Sequence, residues 1–320
     1  MEIIKLEQRT LTDAQFSQLV EIEKNCGLEP YTPEMLRECI ADLDTYAAID
    51  NERVAGFVTV HPGTRYLNGG LYIVNLNVAK EYRRQGLAKL LMVTACAQYG
   101  NHAGRIVTLD VAKSNIAALN LYLGLGFEIT DLPSGNGDTD HVMIAKLDTL
   151  LGVKKTKRLS LRPISLGDAI ALGDILLDNT VKKTYMVPDL SLADAQRLGH
   201  KMAMLSCNKK RYVRGIYLKD TLVGFLNDVE ISDESIELGW VVAPEHQGNG
   251  YATEAVHAAI EDLFDLGYAQ VVAGAFAENT ASIRVMEKSG MVLQDKTEEI
   301  EYRGQLHKCV YYAVKKELSL

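Results

Sequence analysis

No stretch of this sequence approaches the roughly twenty consecutive apolar residues that cross a bilayer, which argues against a membrane-embedded chain. The opening residues, Met1-Glu-Ile-Ile-Lys5, carry neither the basic start nor the apolar stretch of a secretory signal, so a cytoplasmic protein is expected. Cysteine is scarce: Cys26, Cys39, Cys96, Cys207 and Cys309 are odd in number and never paired as C-x-x-C. That argues against a disulfide framework and a zinc site, leaving small buried hydrophobes as their expected role. The seven histidines show no ligand spacing, so no metal is expected. An excess of positive charge is missing too. The formal net charge of -8 offers no footprint for nucleic acid and instead favours encounter with a cationic amine.

What is present is an ordinary globular composition, 47% apolar and 24% charged, in a chain of 320 residues, about twice the usual domain size. The chain also resembles itself. Val78, Arg83, Gly86, Ala88, Asn115 and Gly126 recur, each 164 positions later, as Val242, Gln247, Gly250, Ala252, Asn279 and Gly290. Six matches without a gap read as a duplicated domain. The expected boundaries are residues 1–151 for the first copy, 152–157 for a charged linker and 158–320 for the second.

Each copy alternates strands and helices, as an α/β sandwich around a mixed sheet would. Tyr72 to Val78 and Ile236 to Val242 read as strands. Leu87, Leu90, Leu91 and Thr94 fall on one helical face, as do Ala252, Val256, Ala259, Ile260 and Leu263, with Gly100 and Gly267 as helix stops. The next strands, Arg105 to Val111 and Gln270 to Ala275, lead into helices that Asn115 and Asn279 are placed to cap.

Between strand and helix the first copy reads Arg83, Arg84, Gln85, Gly86, Leu87, Ala88, and the second reads Gln247, Gly248, Asn249, Gly250, Tyr251, Ala252. Both fit [RQ]-x-x-G-x-[GA]. A helix starting here aims its free N–H groups and positive dipole end outward, and small residues let a pyrophosphate come close. No Lys-Ser/Thr follows the glycine, and the pattern is not G-x-G-x-x-G, so neither a triphosphate loop nor a dinucleotide fingerprint is indicated.

These turns, with the downstream N-x-x-[AS] and the Gly126-Phe127 element, resemble those of the GNAT acetyltransferase superfamily. The first copy is similar to ribosomal-protein alanine N-acetyltransferases, on Asn75-Leu-Asn-Val78 and the run from Asp110 to Tyr122. The second is similar to the related group that opens R-L-x-L-R-P, here Arg158 to Pro163. The resemblance implies two mixed, mostly antiparallel sheets, each splayed between its fourth and fifth strands to admit acetyl-coenzyme A (acetyl-CoA). Pyrophosphate would rest on the turns and the pantetheine arm on the backbone near Val78 or Val242, with Asn77, Asn115, Val241 and Asn279 also among the cofactor-binding residues.

Acetyl transfer from a thioester needs a neutral amine, a donor for the developing oxyanion and an acid for the departing thiolate. By resemblance Tyr122 stands where the family keeps its general acid, and Asp110 where N-terminal acetyltransferases carry a base. The second copy has Met286 and Gly274 at those places; Glu237, in line with Ile73, and Ser282, in line with Ala118, are its candidates. The acidic stretch from Asp131 to Asp140 reads as a loop at the edge of an acceptor pocket or a solvated turn. The expected partner is a small-molecule or peptide amine. An acyl-CoA sensor with one inactive copy and a packing scaffold are the competing readings, and oligomeric state is not legible.

Overall fold

A computed structural model describes residues 1–7, 11–26, 30–63, 66, 70–100, 105–208 and 210–317. The chain divides into two compact units, Met1–Gly152 and Val153–Leu320. No described helix is long and apolar enough to cross a membrane, and no described group of His, Cys, Asp and Glu is placed to hold a metal ion. The five cysteines, all among the described residues, form no disulfide; Cys96, Cys207 and Cys309 are buried, and Cys26 and Cys39 half-buried.

The first unit runs β1 (Glu2–Lys5), α1 (Asp13–Lys24), α2 (Pro33–Asp42), β2 (Asp44–Asp50), β3 (Arg53–His61), β4 (Leu71–Val78), α3 (Leu87–Ala97), β5 (Ile106–Ala112), α4 (Ile116–Leu123), β6 (Glu128–Ile129), β7 (Asp140–Lys146) and α5 (Leu147–Leu151). Thr12 and Gln15 form a reciprocal cap on α1, and Thr32 with Pro33 starts α2, so both helices begin where their orphan N–H groups find partners. Phe16, Leu19, Ile22, Leu36 and Ile40 then pack against Ala47 and Phe57 on one face of the sheet. On α3 every residue from Leu91 to Ala97 is buried, not one stripe, and α5 packs against the helix in addition to the sheet. Gly100 is not a left-handed stop; α3 ends at Gln98 through ordinary right-handed turns.

The second unit runs β8 (Lys154–Lys155), β9 (Leu159–Arg162), α6 (Ala169–Leu177), α7 (Leu192–Ser206), β10 (Val213–Leu218), β11 (Thr221–Ile231), β12 (Ser235–Val242), α8 (Tyr251–Asp265), β13 (Gln270–Phe276), α9 (Thr280–Lys288), β14 (Val292–Tyr302) and β15 (Gln305–Lys315). Residues 154–155, read from the sequence as linker, instead form an edge strand on β9, with the Lys154 ammonium 3.1 Å from Asp262 and 3.0 Å from Asp265. Val256, Ala259, Ile260 and Leu263 of α8 pack on Ile216, Val223, Ile236 and Leu238. Leu172, Leu176, Met202 and Ala203 cover the opposite face at Tyr217, Phe225 and Val241. Each such fully buried aliphatic side chain contributes roughly 1.5–3 kcal/mol.

The sheet orders are β1-β2-β3-β4-β5-β7-β6 and β14-β15-β13-β12-β11-β10-β9-β8. Both are antiparallel except for one parallel pair each, and that pair is short. β4 meets β5 only at Leu71↔Val107, Tyr72↔Thr108 and Ile73↔Leu109. β12 meets β13 only at Ser235↔Gln270, Ile236↔Val271 and Glu237↔Val272. Beyond these forks β4 stays paired to β3 and β12 to β11, while β5 and β13 follow their other neighbours. One edge of residues 74–78 and of residues 238–242 is therefore left without a described strand partner. The expected splay between the fourth and fifth strands of the duplicated fold is present in both units.

Candidate active sites

The two turns share an unusual backbone. Arg84 and Gly86 have φ of 62° and 81°, and Gly248 and Gly250 have 76° and 77°. Alternating left-handed residues turn successive N–H groups toward one point, a concavity suited to anions. Gly86 and Gly250 are the N-caps of α3 and α8, and neither end has a side-chain cap, so the first N–H groups of both helices are uncovered. A Cβ on Gly86 would meet nothing within 4 Å. A Cβ on Gly250 would lie 3.5 Å from the Arg158 guanidinium.

Arg158 is a residue that sequence reasoning passed over. Its Nε donates to Glu254 at 2.7 Å, its Nη1 donates to the Asn249 carbonyl at 2.9 Å, and its guanidinium lies 4.7 Å over the Tyr251 ring. The start of α8 thus carries a fixed cation. Beside Gly250 a cavity of about 520 Å³ opens, walled by Thr253, His257 and Lys288 among others.

Arg83 and Gln247, expected at the pyrophosphate, are spent elsewhere. Arg83 Nε donates to the Val78 carbonyl at 2.9 Å, and Gln247 Nε2 donates to the Val242 carbonyl at 2.9 Å. Each side chain ties the end of the open strand to the start of the turn. That bond needs one N–H donor and no charge, which explains why arginine and glutamine serve alike. Arg83 also reaches the Asn25 carbonyl at 3.3 Å and Cys26 Sγ at 3.0 Å. Gln85 donates to the Glu81 carbonyl and Asn249 to the carbonyls of His246 and Gln247, so these side chains brace the turns. Leu87 is buried; Ala88, Tyr251 and Ala252 are half-buried in the first turns of their helices.

Both forks carry a carboxylate, supplied from different strands. In the first unit Asp110 of β5 accepts from Tyr66 at 2.7 and 2.8 Å, Tyr72 at 2.7 Å and Ser134 at 2.7 Å. Ser134 brings the acidic loop onto the fork, and Gly135 N–H donates to the Tyr66 hydroxyl at 3.3 Å. In the second unit Gly274 takes the place of Asp110, and Glu237 Oε1 lies 3.3 Å from where its Cβ would be. The register alters one expectation. Glu237 faces Val272 as Tyr72 faces Thr108, so its structural counterpart is Tyr72, not Ile73. The slip arises because the ladder passes over Val74 on β4 in the first unit and over Val229 on β11 in the second.

Burial raises the Glu237 carboxyl above the ordinary carboxylate range; Lys296 opposes this, and Glu230 and Glu298 reinforce it. Tyr311, at the same fork, donates to Glu298 at 2.9 Å, and Lys296 sits 4.1 Å over its ring. Across the first fork, burial likewise raises Glu23 of α1, which accepts from Tyr31 N–H and from the side chain of Asn77. Asn77 is thereby tied to α1, while Val241, its counterpart, is buried beneath α6 and α7.

Tyr122 is buried, and burial pushes its phenol up to about 12. Its ring packs on Phe127 at 5.7 Å, and its hydroxyl has no hydrogen-bond partner among the described residues. Met286 at the matching place is fully buried in the core of the second unit. Asn115 caps α4 through Ala118 N–H, and Asn279 caps α9 through Ser282 N–H, both at 3.1 Å. Asn279 Nδ2 also donates to Ser282 Oγ at 3.0 Å, which leaves the serine proton free to point elsewhere.

Comparison with known proteins places these features in a family. A model of the Acetyltransferase (GNAT) family matches residues 16–127, and a model of the Acetyltransferase (GNAT) domain matches residues 158–292. An uncharacterized N-acetyltransferase of Bacillus subtilis, YnaD, is 30% identical over 138 residues, covering 42% of this chain and 80% of the relative. This chain is a tandem GNAT acetyltransferase. N-alpha-acetyltransferase 30 of Schizosaccharomyces pombe is 34% identical to the tandem GNAT chain over 105 residues, 31% of this chain and 68% of that one. A solved GNAT acetyltransferase from Bacillus anthracis is 25% identical, covering 51% of this chain and 98% of its own, with a TM-score of 0.46.

GNAT acetyltransferases use acetyl-CoA, and the residues present suit it. Each unit has an uncovered helix start for phosphates, room above the glycine and an open strand edge for amide groups. The strand clamp makes a testable claim. Arg83→Gln should hold the acetyl-CoA dissociation constant within about threefold and keep the fold stable, whereas Arg83→Ala should cost about 1–3 kcal/mol in urea unfolding. Loss of affinity in the glutamine variant would return Arg83 to the phosphate.

Proposed function

We propose that both units transfer acetyl from acetyl-CoA to a primary amine by direct attack of the amine on the thioester, each at its own fork. One recurring layout carries this reading: a carboxylate at the fork, an open strand edge beyond it and a bare helix start at the end of that edge. Backbone N–H groups of residues 84–88 and 248–252 would hold the pyrophosphate, and residues 74–78 and 238–242 the pantetheine amides. The cavity beside Gly250 offers room for the nucleotide end in the second unit. Acetyl-CoA supplies an activated acetyl group and a thiol that departs.

A primary ammonium has a pKa near ~10 and must lose a proton before its nitrogen can attack. In the second unit Glu237 takes that proton; its raised affinity for protons makes it a better base than a solvated carboxylate. Asp110 takes this part in the first unit, with Tyr66, Tyr72 and Ser134 fixing its direction. An N–H on the open strand edge donates to the carbonyl oxygen as charge gathers there. Tyr122, protonated throughout the physiological range, donates toward the departing sulfur; Ser282 is the corresponding donor in the second unit.

The first test is calorimetric titration with acetyl-CoA, expected to count two sites. Gly86→Glu and Gly250→Glu should each remove one, because a charged side chain would enter the anion site from a left-handed backbone position. Unchanged stoichiometry in either variant would count against that cradle. Glu237→Gln should lower turnover by the second unit about 10²-fold or more. A carboxyl raised by folding contributes stability below its unfolded pKa and loses it as pH climbs through its folded pKa. Glutamine mimics the protonated form, so the variant's unfolding midpoint should fall less between pH 5 and pH 8, approximate limits that bracket a raised carboxyl. Tyr122→Phe should slow the first unit by about 10²-fold and leave acetyl-CoA affinity unchanged; normal turnover with weakened affinity would make Tyr122 a packing residue.

A further inference from the structure

Four strands of the second unit bring an amine of the chain itself to the fork. Glu237 of β12, Gly274 of β13, Tyr311 of β15 and Lys296 of β14 follow one another across the sheet. Gly274 and Tyr311 are register partners. A Cβ on Gly274 would lie 2.9 Å from the Tyr311 ring and 3.3 Å from Glu237 Oε1, so ring and carboxylate meet over the bare glycine. The Lys296 ammonium stands 4.1 Å over the same ring and 3.0 Å from Glu298 Oε1, and the Tyr311 hydroxyl donates to Glu298 Oε2 at 2.9 Å. An ammonium thus lies at the carboxylate that is proposed to receive the acceptor's proton.

The backbone is shaped to put it there. The ladder between β14 and β15 passes from Leu293↔Tyr312 to Thr297↔Val310, so residues 294–296 stand against Tyr311 alone. A bulge gives up ladder hydrogen bonds and re-aims a side chain, and bulges collect beside active sites. Here the re-aimed side chain is Lys296, laid across the ring of the residue opposite. In the first unit, among the described residues, β6 meets β7 at two pairs, and Asp110 is met by hydroxyls. The resident amine belongs to the second unit.

The ion pair with Glu298 raises the Lys296 ammonium above its ordinary range; desolvation opposes this, and Glu237 and Glu230 add to it. The amine is therefore presented protonated and needs a base before it can attack. We propose that Lys296 is an acetylation site of its own chain, its amine standing in the acceptor's place and taking the acetyl group from acetyl-CoA bound at the second fork. Glu237 takes one proton from the ammonium and later gives it to solvent. The freed nitrogen lone pair forms the bond to the acetyl carbon, the carbon–sulfur bond breaks, and a second proton from that nitrogen leaves with the thiol. The products are an uncharged amide on Lys296 and coenzyme A. Lys296 is exposed, so the acetylated side chain has solvent to turn into. The inference rests on the reading of the second unit as an amine acetyltransferase.

The test incubates the whole, unaltered chain with acetyl-CoA and no added acceptor, and follows each lysine by peptide mass spectrometry. One acetyl group should appear on Lys296 at least about tenfold faster than on the exposed Lys219, because both reactants are held in one site. The rate should not change with chain concentration, excess free coenzyme A should suppress labelling of Lys296 but not of Lys219, and Glu237→Gln should slow it about 10²-fold. In the ligand-free chain, nuclear magnetic resonance should show the Lys296 ε-methylene protons shifted upfield of those of Lys219 by the Tyr311 ring. Equal labelling of the two lysines, labelling that free coenzyme A does not suppress, a rate that rises with chain concentration, or an unshifted ε-methylene would each overturn the inference. The transferase reading stands apart from these outcomes: a chain carrying Gly86→Glu that acetylates an added alkyl amine but not Lys296 keeps the reading and loses the inference. One that binds acetyl-CoA and acetylates neither loses both.

Discussion

Three register pairs hold each parallel strand couple together, and the point where pairing stops governs everything else. Sheet interiors ordinarily satisfy every N–H and C=O by the next strand. Here β4 and β12 continue for five residues with one edge unserved. The sheets survive the opening because the departing strands are held from the far side, β5 by β7 and β13 by β15, along their whole lengths. A rigid gap lined with polar backbone is the result. The helix starts, the Arg83 and Gln247 bonds and the fork carboxylates are all placed by where those gaps begin and end.

Much of this was legible in the sequence, because the relevant signals are local. The duplicated turn, the caps at Asn115 and Asn279 and the strand-helix alternation depend on residues within a few positions of one another. What depended on pairing between distant segments was not legible. A bulge carries no residue signature of its own, so counting along the chain put Glu237 beside Ile73 while the ladder puts it in the place of Tyr72. The hydroxyls on Asp110 come from three separate segments, and Arg158 reaches α8 from the opening strands of its unit. Helix α3 is buried beyond its expected stripe, and α5, far along the chain, is among the elements packed against it.

The two units have diverged by trading side chains across neighbouring strands. The carboxylate sits on β5 in one and on β12 in the other, and the glycine left behind provides its space. An amide sits on β4 as Asn75 in one and on β11 as Asn227 in the other, with Gly239 as the vacancy. A sheet permits such trades because opposed residues, as Asn227 and Gly239, and diagonal ones, as Glu237 and Gly274, share one volume, so either strand can fill it. The identity of a residue at one position then says less than the chemistry of the pair.

The interchange of Arg83 with Gln247 bears on how duplicated genes drift. Since the strand clamp asks only for an N–H, the guanidinium charge is surplus to the architecture, and a lineage can lose or regain it without refolding the domain. Electrostatic character at the mouth of each site is consequently inherited from other positions, Arg84 on one side and Arg158 on the other. The charge around the two turns can therefore change separately while the clamp between strand and helix stays the same.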